Sequence, residues 1–387
     1  MGGESGTTAE AHPQVEALDV ATQSFETWAP LSQARHGTGA IVDGEMIFVA
    51  SGNGSRGGGN ELTQQECLRP QSMFRTYSLD DLFIRDPFIL PVEEEQTYYL
   101  FSGTDAPWET TGLTQGVVAY TSKDLQSWTG PQVVYQSSPR GWADPWQEVW
   151  APEVHAYQGK YYLFATQSNP WRVLPKQEDR PAQFLRATDI AVADHPLGPF
   201  RPLSERPQTP LDWMSLDGTL WVEAGQPWMV FCHEWHQVTD GTFELVALEK
   251  DLSSPIGEPK TLFSASEAKW SREMKSLGFN VKGWVSDGPW LHRNKNGDLL
   301  MLWSSFGENR YTVGLAKSKS GTIQGPWDLL PEPFFAQDGG HGMLFRRFDG
   351  QLMFTCHSPN RSPLCRTQLF EVKEKKGSLK LGRRVSP

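Results

Sequence analysis

Arg85-Asp86-Pro87-Phe88-Ile89-Leu90 is the first of five related phrases, each a polar turn carrying an acid or a histidine that runs into an apolar strand. The others are Ala151-Pro152-Glu153-Val154-His155, Leu216-Asp217-Gly218-Thr219-Leu220-Trp221, Ser286-Asp287-Gly288-Pro289-Trp290-Leu291 and Gly340-His341-Gly342-Met343-Leu344-Phe345. They recur every 55 to 70 residues or so, enough for one four-stranded blade with its loops. A second echo follows each phrase, a turn residue and a run of strand formers, as in Gly159-Lys160-Tyr161-Tyr162-Leu163-Phe164 and Gly297-Asp298-Leu299-Leu300-Met301-Leu302. The repeat predicts an all-β fold, a five-bladed β-propeller. If the phrases begin equivalent inner strands, their polar residues meet in one central active-site pocket.

Composition agrees with many short strands joined by tight turns. The 387 residues include 16 Trp, 20 Phe, 9 Tyr, 36 Gly and 28 Pro, and helical periodicity is scarce. No composition shift divides the chain, so the expectation is an irregular N-terminal segment over 1–40 and a single propeller domain over 41–387. The net charge of −11 with no dense Lys/Arg run argues against nucleic acid and anionic membranes as partners. No apolar stretch is long enough to span a bilayer, and residues 1–20 lack the apolar core of a signal peptide. A soluble protein is expected, either cytoplasmic or secreted from a precursor whose signal has been removed. Four scattered cysteines without a CxxC suggest buried thiols, not disulfides or structural zinc. The glycines of Ser51–Asn60 precede no helix pattern and read as a loop, not a phosphate cradle.

Taken singly, an Asp before Pro or Gly is a turn former, and Asp86, Asp217 and Asp287 all fit that description. Their recurrence at matching places in a repeat favours function. A second acidic candidate is Glu234 in Cys232-His233-Glu234-Trp235-His236, where two imidazoles crowd one carboxylate. That stretch lacks the helical i, i+4 histidine spacing of a zinc protease, which disfavours metal catalysis there.

On these phrases the chain resembles glycoside hydrolase family 43, over roughly residues 80–375. The resemblance implies a five-bladed propeller that removes arabinofuranosyl, xylosyl or galactosyl units from plant polysaccharides. Asp86 in Arg-Asp-Pro looks like the family's catalytic base. Trp150-Ala151-Pro152-Glu153 resembles the second-blade signature, and Asp217 matches the acid that tunes and orients the proton donor. Asp287 in Asp-Gly-Pro stands where the family usually has the general acid in Glu-Gly-Pro. His341 matches an inward histidine that in relatives lies near a central water or a calcium ion, so it is also the metal candidate. Asp is one methylene shorter than Glu, a difference of about 1 Å that matters in proton transfer, so Asp287 and Glu234 both stand as candidates for the donor.

The expected activity is an exo-acting, inverting glycosidase releasing terminal pentofuranosyl or related sugars. α-L-Arabinofuranoside leads, ahead of β-xyloside and galactofuranoside. Such chemistry pairs an ionised base with a protonated acid and requires no cofactor; the only ion implied is a structural calcium in the channel. The substrate is an oligo- or polysaccharide, and the oligomeric state is not legible. Arg85, Trp108, Trp150, Glu153, Trp290, Phe306 and His341 are the candidate substrate-binding residues. Two alternatives remain at this level. One is a fructan-type propeller hydrolase, disfavoured because no upstream Asn-Asp-Pro is present. The other is a catalytically dead carbohydrate-binding propeller.

Overall fold

A computed structural model describes residues 9–19, 24–28, 30–43, 46–56, 60–63, 65–68, 75–103, 115–175, 180, 182–308 and 310–385. Two compact units divide the chain, Met1–Arg75 and Thr76–Pro387. In the first unit a two-stranded hairpin, Val15–Asp19 with Ser24–Trp28, falls in the segment expected to be irregular. A separate three-stranded sheet is formed by Gly39–Asp43, Met46–Ala50 and Gln65–Leu68, and its Val49 clusters with Val15 and Leu31. The strands within 41–68, expected in the propeller domain, lie in this first unit. Alternating strand formers look the same whichever sheet they join, and residues 41–68 pair among themselves.

Among the described residues of the second unit there are five antiparallel sheets. Their innermost strands are Phe88–Val92, Trp150–Tyr157, Ser215–Glu223, Asp287–Arg293 and Gly340–Arg346. From each the chain steps outward through a second, third and fourth strand. The first sheet carries one further short strand, Arg75–Tyr77, at its outer edge. Each innermost strand abuts that of the next sheet, and Gly340–Arg346 returns to Phe88–Val92, so the sheets close into a propeller ring.

Apolar side chains fill the space between sheets. Phe101, Val117, Trp128 and Leu163 pack between the first and second, and Phe243, Phe263, Trp270 and Trp303 between the third and fourth. Along the axis, Phe88 meets Trp290 at 5.5 Å and His155 stacks on Trp290 at 5.8 Å. A cavity of about 320 Å³ lies there, lined by Phe88, Val154, His155, Leu220, Trp290 and Met343. It sits further along the inner strands than the acids and is largely apolar. Trp290, expected in a sugar-stacking wall, is thus part of the channel packing.

Candidate active site

Each inner strand opens with a left-handed residue at the same repeat position. Asp86, Ala151, Asp217, Gly288 and His341 have φ of 50°, 45°, 59°, 55° and 49°. In the second to fifth sheets the pairing register slips across that residue, the mark of a β-bulge. A bulge breaks the ladder, re-aims one side chain and frees a backbone N–H. Strained backbone of this kind concentrates at functional sites.

The freed N–H groups find side chains on the second strand of the preceding sheet. Asp217 donates to Thr166 Oγ1 (2.8 Å), His341 to Ser304 Oγ (2.8 Å) and Asp86 to His357 Nδ1 (3.2 Å). Thr166, Ser304 and His357 each stand opposite the first residue of their own inner strand. Equivalent positions thus supply equivalent anchors.

Of the sequence candidates, Asp86, Asp217 and His341 share the left-handed position, while Asp287 precedes it by one residue and Glu153 follows it by two. The acids are therefore not strictly repeat-equivalent. Three of the side chains nevertheless meet. His341 Nδ1 lies 3.4 Å from Asp86 Oδ1 and 3.7 Å from Asp217 Oδ2, and Asp217 Oδ2 accepts the Gly288 N–H at 3.0 Å. Asp287 joins them electrically: the Asp217 charge acts on it, and its Oδ2 accepts the Tyr311 hydroxyl at 2.8 Å.

The three carboxyls have different proton affinities. Burial pushes Asp86 up, but His341, His357 and Arg85 (Nε 3.8 Å away) overcome it and hold Asp86 well below the usual carboxylate range. Burial, then the neighbouring Asp86 charge, raise Asp217 well above that range. Burial and the Asp217 charge push Asp287 up to about 7, against the opposing Tyr311 bond. Two like charges this close in a dry site cannot both ionise freely.

Glu234 is paired with Arg186, both side chains are buried, and its charge also acts on Asp217. Of its two neighbouring histidines only His236 approaches (Nδ1 3.6 Å). His233 instead stacks on Trp213 at 3.9 Å and contacts Gln237 at 2.8 Å, so the expected crowding of two imidazoles around Glu234 is corrected to one. Arg186 lies 4.2 Å over the ring of Trp150, which is 37% exposed. Phe306 packs against Tyr311 at 5.3 Å, beside Asp287. Glu153 is buried and paired with His155 at 2.9 Å. Trp108 lies outside the described residues.

Among the described residues no three His, Cys, Asp or Glu side chains converge to hold a metal. The oxygens nearest His341 are engaged by its imidazole, and calcium requires six or more oxygen ligands.

His357, Tyr311 and Arg186 were not singled out from sequence. Each sits in an ordinary-looking strand, and only the fold brings it to the pocket. A partial signal existed for His357, since Thr166, Ser304 and His357 occupy one repeat position and are all polar.

The sequence pattern of Glycosyl hydrolases family 43 matches residues 81–385. The chain belongs to glycosyl hydrolase family 43. This family member is a glycosidase, and its ring is of the kind family 43 enzymes share. Over 78% of this chain and 98% of the other, it superposes on an endo-arabinase from Bacteroides thetaiotaomicron with a TM-score of 0.68 and 37% identity. An α-L-arabinofuranosidase structure from Lactobacillus brevis gives a TM-score of 0.61 at 18% identity, covering 78% of this chain and 94% of the other, a likeness of fold. An extracellular exo-α-(1→5)-L-arabinofuranosidase from Streptomyces chartreusis is 24% identical across 62% of this chain and 68% of its own length. Among the described residues of the family 43 chain, no helix is long and apolar enough to cross a membrane.

Proposed function

We propose that this glycosidase hydrolyses α-L-arabinofuranosyl linkages of plant-type glycans with inversion, acting from the chain end. Asp86 activates water, Asp287 protonates the leaving oxygen and Asp217 tunes Asp287. The observation that carries this reading is the separation of proton affinities at one end of the ring. Asp86 is held ionised, while Asp287, in contact with Tyr311, takes a proton near neutrality. A base and an acid pushed apart by their surroundings are what inverting glycoside hydrolysis needs. Glu234 is the weaker donor candidate because Arg186 pairs with it, whereas among the described residues Asp287 has no cationic partner in hydrogen-bond contact. No cofactor enters this chemistry.

A panel of nitrophenyl glycosides, with NMR of the first-formed anomer, tests the reading. Arabinofuranoside should be cleaved faster than xyloside or galactofuranoside, with inversion; a retained anomer would overturn the mechanism. Asp86→Asn should nearly abolish hydrolysis of good and poor leaving groups alike, because the attacking water loses its base. Asp287→Asn should spare good leaving groups and hit poor ones. If Glu234→Gln shows that dependence and Asp287→Asn does not, the donor is Glu234.

The 37% identity to an endo-arabinase favours a second reading, cleavage inside the chain. Linear arabinan separates the two: free arabinose from the first minutes marks end-acting hydrolysis, and a ladder of oligosaccharides marks internal cleavage.

A further inference from the structure

The second strand of the second sheet, Lys160–Val173, has 14 residues where its counterparts in the other sheets have 7 to 9. It runs past Thr166, which anchors the Asp217 backbone, and so projects at the active-site end of the ring. The extension contributes little to the core: Trp171 is 84% and Val173 70% exposed, and nearby Trp146 is 55% exposed. Leaving indoles in water runs against the hydrophobic effect, so their presentation calls for a ligand.

The Trp171 indole is also held in place, and the backbone of Trp146 is tied to the same residue, Asp144. Asp144 Oδ1 accepts the backbone N–H of Trp146 and its Oδ2 the indole N–H of Trp171, both at 3.0 Å, so one carboxylate ties the two residues together. Asn169 Oδ1 accepts the Trp171 backbone N–H at 3.1 Å. Trp150 is treated likewise, its indole N–H donated to Glu148 at 2.9 Å. An indole with its edge bonded and its face bare is a rigid stacking surface.

This surface is continuous with the pocket. The Asp144 N–H bonds Ser168 O at 2.9 Å, Ser168 Oγ accepts Arg186 Nε at 3.1 Å, and Arg186 pairs with Glu234 and lies over Trp150. We propose that Trp171 and Trp146 form an aromatic platform that binds a stretch of neutral polysaccharide, the part of the substrate chain lying outside the catalytic pocket. The inference rests on the reading of this site as a glycan-cleaving one. A sugar ring offers an apolar C–H face to stack on indole, with hydroxyls at its edge to meet carboxylates such as Asp144 and Glu148. The net charge of −11 disfavours polyanions.

The test compares wild type with the double variant Trp146→Ala/Trp171→Ala on linear arabinan and on nitrophenyl α-L-arabinofuranoside, with migration through polysaccharide-containing native gels as a readout independent of turnover. The polymer KM should rise about tenfold, from two stacking contacts of the usual size, while kinetics on the nitrophenyl glycoside stay the same. An unchanged polymer KM, or equal losses on both substrates, would overturn the platform. So would a variant that loses only a concentration-dependent self-association. If wild type cleaves no arabinofuranoside, the proposed function fails, yet gel retardation of wild type by arabinan or xylan, lost in the variant, still supports the platform. Absence of retardation in both proteins then counts against it.

Discussion

Replacing Asp287 by Asn should cost activity and add stability, and the stability gain should depend on pH. Asp287 is pushed up to about 7 from an ordinary 3.8, by burial first and by the Asp217 charge second. It binds its proton more tightly in the folded than in the unfolded chain. Its contribution to stability is therefore fully present below pH 3.8 and lost as pH rises through 7. At 1.36 kcal/mol per pH unit, the gap is worth about 4 kcal/mol at alkaline pH. Asn stays neutral, and its Oδ1 still accepts the Tyr311 hydroxyl, so the variant escapes that loss. Urea unfolding from pH 4 to 9 should show the two proteins close together at pH 4, the variant gaining its advantage between about pH 4 and 7, and a constant difference above that. The same variant should lose turnover on poor leaving groups. A stability difference that is flat with pH would mean that Asp287 is not a buried, proton-holding carboxyl, and its assignment as donor would fall with it.

Two further outcomes follow from neighbouring contacts. Tyr311→Phe removes a hydrogen bond that favours ionised Asp287 while keeping the ring stacked on His357, so the alkaline limb of kcat should move up by about one pH unit; an unmoved limb in the pH–rate profile would detach Tyr311 from the acid. Gly288→Ala puts a Cβ 2.9 Å from the His341 ring at a φ of 55°, and thermal unfolding should report a loss of about 1–3 kcal/mol together with reduced activity.

The propeller repeat was legible in sequence because its determinants are local. Each phrase pairs turn chemistry with an apolar strand, and Asp86, Asp217, Asp287 and His341 could be selected by their places in those phrases. The N-terminal boundary was not legible, since residues 41–68 are ordinary strands and nothing local says that they pair with one another. Nor could the sequence tell that Trp290 packs in the channel while Phe306 lies beside Asp287 through Tyr311, because neighbours across sheets leave no trace in spacing.

Chemical identity follows the same division. The chain alone supplied carboxylates at recurring turns, and the resemblance of those phrases to glycoside hydrolase family 43 pointed from them to glycoside hydrolysis. Which carboxyl is ionised and which protonated depends on burial and on charges from distant strands: His341 and His357 acting on Asp86, and Asp217 on Asp287. A proton affinity belongs to an environment, and only the closed ring of sheets creates that environment.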